Sequence, residues 1–341
     1  MNKWRLLHDK IDEPFLHFAV EEALLRGMDE NTSPPILRIR QTKPSVWIGV
    51  YQYPEEDVDI LYCEQKNIKI VRRPNPGGAV YQDEGSFCYS LFFPKKNVFE
   101  RLQIQEPGEL YKLAGNAVIE TCKDFGVIAG HSPVNDITIN GRKVYGSAQI
   151  EFYSAFVHSG TFLVNTNLDE MERCLIPSKL KFIDKGFKNV KDRVINLSEA
   201  IGERVEVPQV IEKLVFHLSR ILEMELYKDD LFENEILLAN QLFEEKYSKP
   251  EWTFREKASF NTVVSTKSPS GIITLCLSTD NGKVTDIEIK GDFVIANQDD
   301  LRKVIHSLIG QEVKRLPFII KNSPLPIDLK ESLASLLLKI E

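Results

Sequence analysis

One stretch of the chain, residues 71–85, combines the residue types that bind anions. It reads VRRPNPGGAVYQDEG, so two arginines close an apolar run and a Pro-Asn-Pro-Gly-Gly bend follows. A guanidinium donates paired hydrogen bonds to phosphate or carboxylate, and Gly77 and Gly78 leave the backbone open to a ligand. The amides after the second proline favour an anion-binding concavity. Because strand side chains alternate, one of Arg72 and Arg73 is predicted to face a ligand and the other to face protein or solvent.

A second stretch, residues 135–149, places a lysine beside a tight hairpin. It reads NDITINGRKVYGSAQ, and Asn-Gly between two alternating runs predicts a type I′ turn. Asp136 and Lys143 then lie on facing strands, where they could pair. The small residues after Lys143 would let another group approach closely, and a lysine held there could serve as a fixed cation for phosphate or a developing charge.

A third stretch, residues 179–194, is basic although the chain as a whole is acidic. It reads KLKFIDKGFKNVKDRV. Such a cluster could meet the negative surface of a protein or the phosphate of a nucleotide. Each of the three stretches, taken alone, also fits an ordinary feature: a surface turn, the rim of a hairpin and a solvated charged face.

The bulk composition limits the class of protein. The chain has 341 residues, 43% of them hydrophobic, and a net charge of -7, which argues against nucleic acid as the main partner. Five cysteines without a CxxC pair indicate a reduced, cytoplasmic protein with no zinc knuckle. No apolar run reaches the ~20 residues that span a bilayer, and no secretory signal is evident at the N-terminus.

Hydrophobic periodicity predicts the elements that must position these stretches. A helix is expected at 13–28, with Pro14 in its first turn. The other expected helices are 107–126, 208–226 and 231–247, and residues 169–175 and 178–193 are expected to form short helices or a loop. The expected strands are 36–41, 46–52, 68–73, 87–93 and 155–165. After a linker near 248–256, a hairpin over 272–293 turns at Asn281-Gly282, and helices follow near 297–309 and 328–340.

These elements predict an α+β protein with two domains. Residues 1–250 form a large catalytic domain in which helices flank a mixed or antiparallel sheet. Residues 255–341 form a small α+β accessory domain, whose size is within the usual range.

The three stretches, in this order, resemble the lipoate-protein ligase A family. The family has a twin-arginine strand leading into a glycine loop, matched here by residues 72–83, and an Asn-Asp…Arg-Lys…Gly-Ser-Ala segment, matched by 135–148. The segment HSGTFLVN (158–165) is similar to a family segment, 179–197 resembles its adenylate-binding loop, and IKGDF (289–293) resembles part of its C-terminal domain.

The resemblance implies a two-step reaction. Lipoate, the substrate, and ATP with Mg²⁺ give lipoyl-adenylate and pyrophosphate. The acyl group then passes to one lysine of a lipoyl domain in a 2-oxoacid dehydrogenase complex, or of the glycine cleavage H protein. No metal-ligand cluster is required, because Mg²⁺ binds through phosphates and one or two carboxylates.

The resemblance also implies roles for individual residues. Lys143 contacts the lipoyl carbonyl and the phosphate, and Asp136 orients Lys143 or a metal. Arg72 and Gly77 line the lipoyl side, and the loop 179–193 closes over the adenylate. The nucleotide would be held by Arg73, Gly78, Ala79, Val80, Tyr81, Asn135 and Lys185.

Two alternatives and several departures accompany the resemblance. Pro76 replaces a loop glycine, Gln82 a common histidine and Ser86 a common asparagine, and octanoate or another medium-chain acid is an alternative substrate. An octanoyl or lipoyl transferase acting without ATP would use a catalytic cysteine, for which Cys88 and Cys174 are the candidates. The second alternative is a degenerate paralogue that binds lipoyl domains without activating an acid.

Overall fold

The structure is a computed structural model, and it describes residues 3–133, 135–152, 154–176, 189–295 and 297–340. Lys185 and most of the basic stretch predicted at 178–193 lie outside the described residues. Within them, no helix is both long enough and apolar enough to cross a membrane.

A mixed sheet of eight strands forms the centre of the larger part of the chain. Its strands, with those of a small neighbouring sheet, are β1 (Lys3–His8), β2 (Ile36–Arg40), β3 (Ser45–Ile48), β4 (Lys69–Arg72), β5 (Val80–Gln82), β6 (Ser86–Pro94), β7 (Gly130–Ser132), β8 (Asp136–Ile139), β9 (Arg142–Phe152), β10 (Ala155–Leu163) and β11 (Glu225–Lys228). The large sheet has the order β11-β1-β2-β6-β10-β9-β8-β7, and the small sheet has the order β4-β3-β5. In the large sheet, β1 runs parallel to both of its neighbours and the other pairs are antiparallel.

Helices cover both faces of the large sheet. Those of the larger part are α1 (Pro14–Asp29), α2 (Pro54–Asp57), α3 (Ile60–Gln65), α4 (Lys95–Arg101), α5 (Pro107–Asp124), α6 (Leu168–Cys174), α7 (Leu197–Ile201), α8 (Val207–Ile221), α9 (Glu233–Leu242) and α10 (Pro250–Thr253). The central strand β6 shows why: Phe87, Tyr89 and Leu91 pack into the core beneath α5 and α8. Cys88 and Phe92, which point the opposite way, pack into the core beneath α1 and α9.

The last part of the chain has its own hydrophobic core. Three antiparallel strands, β12 (Thr262–Ser268), β13 (Gly271–Asp280) and β14 (Lys283–Gly291), pack against α11 (Gln298–Leu308), α12 (Leu316–Lys321) and α13 (Ile327–Leu337). This separate core supports the proposed division of the chain between residues 250 and 255. The predicted α+β class, with a large mixed sheet flanked by helices, is confirmed.

Both predicted hairpin turns have the expected backbone. Asn140 and Gly141 have φ angles of 50° and 76°, and Asn281 and Gly282 have 50° and 74°. Type I′ turns require positive φ at both central residues, and Asn-Gly accepts it most readily. The turn at 140–141 sets the register that brings the predicted aspartate and lysine of β8 and β9 together.

Several predicted elements differ from the structure. β1 and β12 were not expected, and the helix predicted over 208–226 ends at Ile221, so that residues 225–228 form an edge strand beside β1. The strand predicted over 46–52 ends at Ile48. Residues 49–52 form a turn instead, in which the carbonyls of Gly49, Val50 and Gln52 accept hydrogen bonds from the buried Arg72.

Candidate active site

A cavity of about 430 Å³ lies where three segments meet: the loop before β5, the β8–β9 hairpin and the turn between β12 and β13. We call this loop together with β5, residues 73–82, the glycine loop. The volume is typical of small-molecule sites. A more open depression of about 720 Å³ beside α4 contains none of the predicted site residues. The cavity is lined by Arg73, Gly77, Gly78, Ala79, Val80, Tyr81, Asn135, Asp136 and Lys143.

The side chains of the hairpin lysine and aspartate meet although the two residues are not cross-strand partners, since Lys143 pairs with Thr138 and Asp136 with Gly146. Nζ of Lys143 lies 2.7 Å from Oδ1 of Asp136, and the two side chains are 37% and 26% exposed. Oδ1 of Asp136 is itself buried and accepts no hydrogen bond from the described residues, so its contact with the lysine is an ion pair. The pair therefore presents a cation and a partly exposed carboxylate side chain to the cavity.

Gly146 explains how the lysine reaches this position. Its partner across the hairpin is Asp136, and the end of the Lys143 side chain folds over it. A Cβ at residue 146 would overlap Cε and Nζ of Lys143. The predicted close approach is therefore made by the lysine of the same strand.

Asn135 lines the cavity but uses its side-chain amide within the protein. Its Nδ2 donates to the carbonyl of Ser147. In return, the backbone N–H and the hydroxyl of Ser147 each donate to the carbonyl of Asn135, both at 3.1 Å. This exchange fixes the start of β8 against β9, and so it positions the carboxylate of the next residue.

Arg73 holds the glycine loop in shape from inside. Its guanidinium donates to the carbonyls of Trp47 at 2.7 Å, Gly78 at 2.7 Å and Pro76 at 3.3 Å. Burial lowers the pKa of Arg73 to about 10, a value at which the side chain remains charged at neutral pH. Arg73 therefore adds positive charge to the cavity wall while its donors point at the loop.

The bend of the loop leaves three amides at the cavity wall. Gly77 has a φ of 105°, a conformation that favours glycine. Among the described residues, no hydrogen bond is donated by the N–H groups of Gly77, Gly78 or Ala79. Successive amides of this kind bind anions, and their lack of acceptors among the described residues is compatible with the concavity predicted after the second proline.

Arg72 does not line the cavity, in contrast to the role that the resemblance implies. It is fully buried, and its guanidinium donates to five backbone carbonyls: those of Gly49, Val50, Gln52, Trp252 and Thr253, at 2.6–3.2 Å. Burial is the main cause that lowers its pKa, to about 10. Arg72 therefore ties the turn after β3 to the end of α10, and only Arg73 of the pair faces the cavity.

The deepest part of the cavity contains an ion pair that the sequence analysis missed. Glu21 of α1 and Arg40 of β2 are both buried, with Oε1 and Nη1 2.5 Å apart. Ser90 donates to Glu21 at 2.6 Å and accepts from Arg40 at 2.8 Å. Phe18 and Trp47 line the cavity beside them. The only sequence signal for this ion pair is that Glu21 and Arg40 are charged residues in a helix and a strand that are otherwise largely apolar.

Gln82 and Ser86, which depart from the family pattern, form a second buried hydrogen-bond network beside the cavity. Gln82 donates to the hydroxyl of Thr161 at 3.0 Å and accepts from Ser86 at 2.8 Å. The Sγ of Cys88 lies 3.0 Å from the same threonine hydroxyl. Burial raises the pKa of the Cys88 thiol, and contact with the Cys63 thiol raises the pKa of Cys174. Neither cysteine has the low pKa of a nucleophile.

Asp136 is the predicted site residue that could supply a magnesium ligand. No group of three or more His, Cys, Asp or Glu side chains among them is arranged to hold a metal. The partly exposed carboxylate of Asp136 would supply one ligand, and Mg²⁺ commonly takes one or two carboxylates together with substrate phosphates.

Two protein-family models match the chain, one within the larger part and one within the small C-terminal part. Residues 13–219 match the family described as Lipoyl protein ligase A/B catalytic domain, and residues 257–318 match Bacterial lipoate protein ligase C-terminus. The first match covers more than half of the chain, so the chain belongs to this family and is a lipoate-protein ligase. The lipoate-protein ligase LplJ of Bacillus subtilis is 28% identical over 311 residues, which are 90% of each chain.

Solved structures agree with the fold. LipL1 of Plasmodium falciparum, in complex with lipoate, has a TM-score of 0.79 and covers 98% of this chain and 99% of its own, at 20% identity. A lipoate-protein ligase A bound with ATP is 27% identical, with a TM-score of 0.64 over 74% of this chain and 98% of its own. The bipartite ligase of Thermoplasma acidophilum, described with its E2 lipoyl domain, is 28% identical, with a TM-score of 0.63 over 75% of this chain and 98% of its own.

The role of Arg72 can be tested by substitution with lysine. Arg72→Lys keeps the charge but cannot reach five carbonyls, so at least two buried acceptors lose their donors. We expect the free energy of unfolding to fall by about 2–4 kcal/mol in urea. Lys69→Arg, at an exposed position on the same strand, is the control. An unchanged unfolding midpoint in Arg72→Lys would contradict the structural role.

Proposed function

We propose that this ligase activates lipoate with ATP and then transfers the lipoyl group to a lysine of a lipoyl domain. In the first step a carboxylate oxygen of lipoate bonds to the α-phosphorus of ATP and the bond to the β-phosphate breaks, giving lipoyl-adenylate and pyrophosphate. In the second step the acceptor amine attacks the lipoyl carbonyl, AMP leaves, and the amine loses its proton.

The observation that carries the proposal is the convergence of Lys143 and the glycine-loop amides on one cavity. Two unit negative charges about 4 Å apart repel by roughly 4 kcal/mol at the effective dielectric constant near a protein surface. A carboxylate and a phosphate must come closer than that to react. Fixed cations and backbone N–H groups offset such repulsion without reorganisation at the moment of reaction.

Each group in the cavity then has a place in the reaction. The ammonium of Lys143 contacts the lipoyl carboxylate and the α-phosphate, and the amides of residues 77–79 bind phosphate oxygens. Asp136 orients the lysine through its buried Oδ1, and its partly exposed carboxylate would supply one ligand to Mg²⁺. The metal neutralises phosphate charge when it is bound.

Neighbouring proteins support the choice of substrates. One structural neighbour has been solved with ATP, another belongs to a lipoylation system described with its E2 lipoyl domain, and the curated relatives are lipoate-protein ligases. We therefore propose ATP and lipoate as substrates, with lipoyl domains of 2-oxoacid dehydrogenase complexes or the glycine cleavage H protein as acceptors.

The two alternatives predict different behaviour. A transferase acting without ATP needs a reactive cysteine, but the thiols of Cys88 and Cys174 are buried and their pKa values are raised. A degenerate paralogue would bind lipoyl domains without binding nucleotide, although this chain keeps Lys143 in the cavity. Transfer from an octanoyl carrier in the absence of ATP would favour the first alternative, and absence of ATP binding the second.

Substitution of Lys143 tests the assignment directly. Lys143→Ala removes the cation at the reacting anions, so we expect lipoate-dependent ATP–pyrophosphate exchange to fall about a hundredfold or more. The side chain is partly exposed, so the thermal unfolding midpoint should stay close to that of the wild type. Wild-type exchange in this variant would refute the role given to Lys143.

Gly146→Ala tests the same cation while leaving it in the sequence. The new methyl group would occupy the place of the lysine ammonium, so we expect exchange to fall at least tenfold with little loss of stability. Gly130→Ala is the matched control, because a Cβ there meets nothing within 4 Å. Equal exchange rates in the two alanine variants would show that the folded-over position of Lys143 is not needed.

A further inference from the structure

The basic stretch of the sequence ends in a segment that the structure describes, residues 189–195, and this segment forms part of the cavity wall. Val190, Arg193 and Val194 line the cavity. The N–H of Arg193 donates to the carbonyl of Val190 at 3.0 Å, which closes a tight turn. The wall therefore carries one arginine between apolar residues.

Backbone contacts hold this segment against the strand that carries Lys143. Val194 forms a parallel bridge with Lys143, and the N–H of Ile195 donates to the carbonyl of Lys143 at 2.9 Å. Arg193 is the residue before this bridge. The guanidinium and the ammonium of Lys143 therefore belong to adjacent backbone positions of one cavity wall.

The charge of Arg193 is not offset within the part of the chain that the structure describes. There, its guanidinium forms no ion pair and donates no hydrogen bond. In contrast, Lys143 is paired with Asp136, and Arg40 with Glu21. The side chain of Arg193 is half-buried, and a guanidinium donates paired hydrogen bonds to phosphate. Arg193 is thus suited to an anion that binds in the cavity.

We propose that Arg193 binds the α-phosphate in both half-reactions and is a second catalytic cation beside Lys143. This inference rests on the proposed function. During activation the α-phosphorus bonds to the lipoate carboxylate, and the electron pair of the broken bond leaves with pyrophosphate. Arg193 neutralises charge on the α-phosphate oxygens as the two anions meet.

The same contact serves the transfer step, because the α-phosphate is still present in lipoyl-adenylate. When the acceptor amine attacks, the bond between the lipoyl carbonyl carbon and the phosphate oxygen breaks. Its electron pair goes to that oxygen, the proton of the amine passes to water, and Arg193 stabilises the charge on the leaving AMP. A loss of Arg193 should therefore slow both steps.

The binding test compares ligands that contain or lack the α-phosphate, using the full-length chain. Arg193→Gln should weaken the binding of AMP about tenfold in titration calorimetry and leave the binding of adenosine unchanged. Arg193→Lys, which keeps the charge but not the paired donors, should recover part of the AMP affinity. Lys191→Gln is the matched control, because Lys191 is exposed and pairs with Asp169; it should bind both ligands as the wild type does.

A kinetic measurement tests the claim that both steps depend on Arg193. In Arg193→Gln, lipoate-dependent ATP–pyrophosphate exchange should fall about tenfold or more, and so should transfer from presynthesised lipoyl-adenylate to a lipoyl domain. Wild-type AMP affinity, equal losses for AMP and adenosine, or a loss confined to one half-reaction would each overturn the inference. A wild-type chain without lipoate-dependent exchange would instead overturn the proposed function, and this inference with it.

Discussion

Two buried guanidinium groups at the end of β4 determine how the site is built. Among the described residues, Arg72 and Arg73 have no carboxylate partner, and both are satisfied by backbone carbonyls. A buried charge is tolerated only where its hydrogen bonds are made, so the carbonyls of the β3 turn, the glycine loop and α10 must come to these two side chains. These bonds hold the glycine loop where its residues line the cavity.

The need to hydrogen-bond the buried Arg72 also links the small sheet to the cavity. Arg72 binds the carbonyls of Trp252 and Thr253, just before the chain enters β12. Glu288 of β14 accepts from Tyr53 at 2.8 Å and pairs with Arg255 at 3.2 Å, and Lys290 pairs with Glu56 at 2.5 Å. Tyr53 and Lys290 are buried, whereas Arg255, Glu288 and Glu56 are partly exposed, and ion pairs of partly exposed residues are individually worth little. The position of the small sheet therefore depends on many weak contacts arranged around one strong anchor.

Local sequence signals predict part of this site. Asn140-Gly141 predicted the hairpin, whose register pairs Asp136 with Gly146 and Lys143 with Thr138. The lysine reaches Asp136 because its side chain folds back over Gly146, which the sequence did not predict. The two arginines could be predicted to diverge, but not which would face the ligand, because the partners of Arg72 lie up to 181 residues away in sequence. The Glu21–Arg40 pair was missed for the same reason, because its contacts join α1, β2 and Ser90 of β6, which are separate in sequence.

The polarity of the cavity orients the acid that enters it. At the buried end, Glu21 and Arg40 neutralise each other, so that end offers no net charge to a carboxylate, and Phe18 and Trp47 favour a hydrocarbon chain. At the partly exposed end, Lys143 and the loop amides favour negative charge. A substrate placed the other way round would bury its carboxylate beside Glu21, at a cost that the hydrophobic gain from one aliphatic chain does not offset. On the proposed function, we therefore expect the acid to enter chain first, with its carboxylate at the end of the cavity that Lys143 lines.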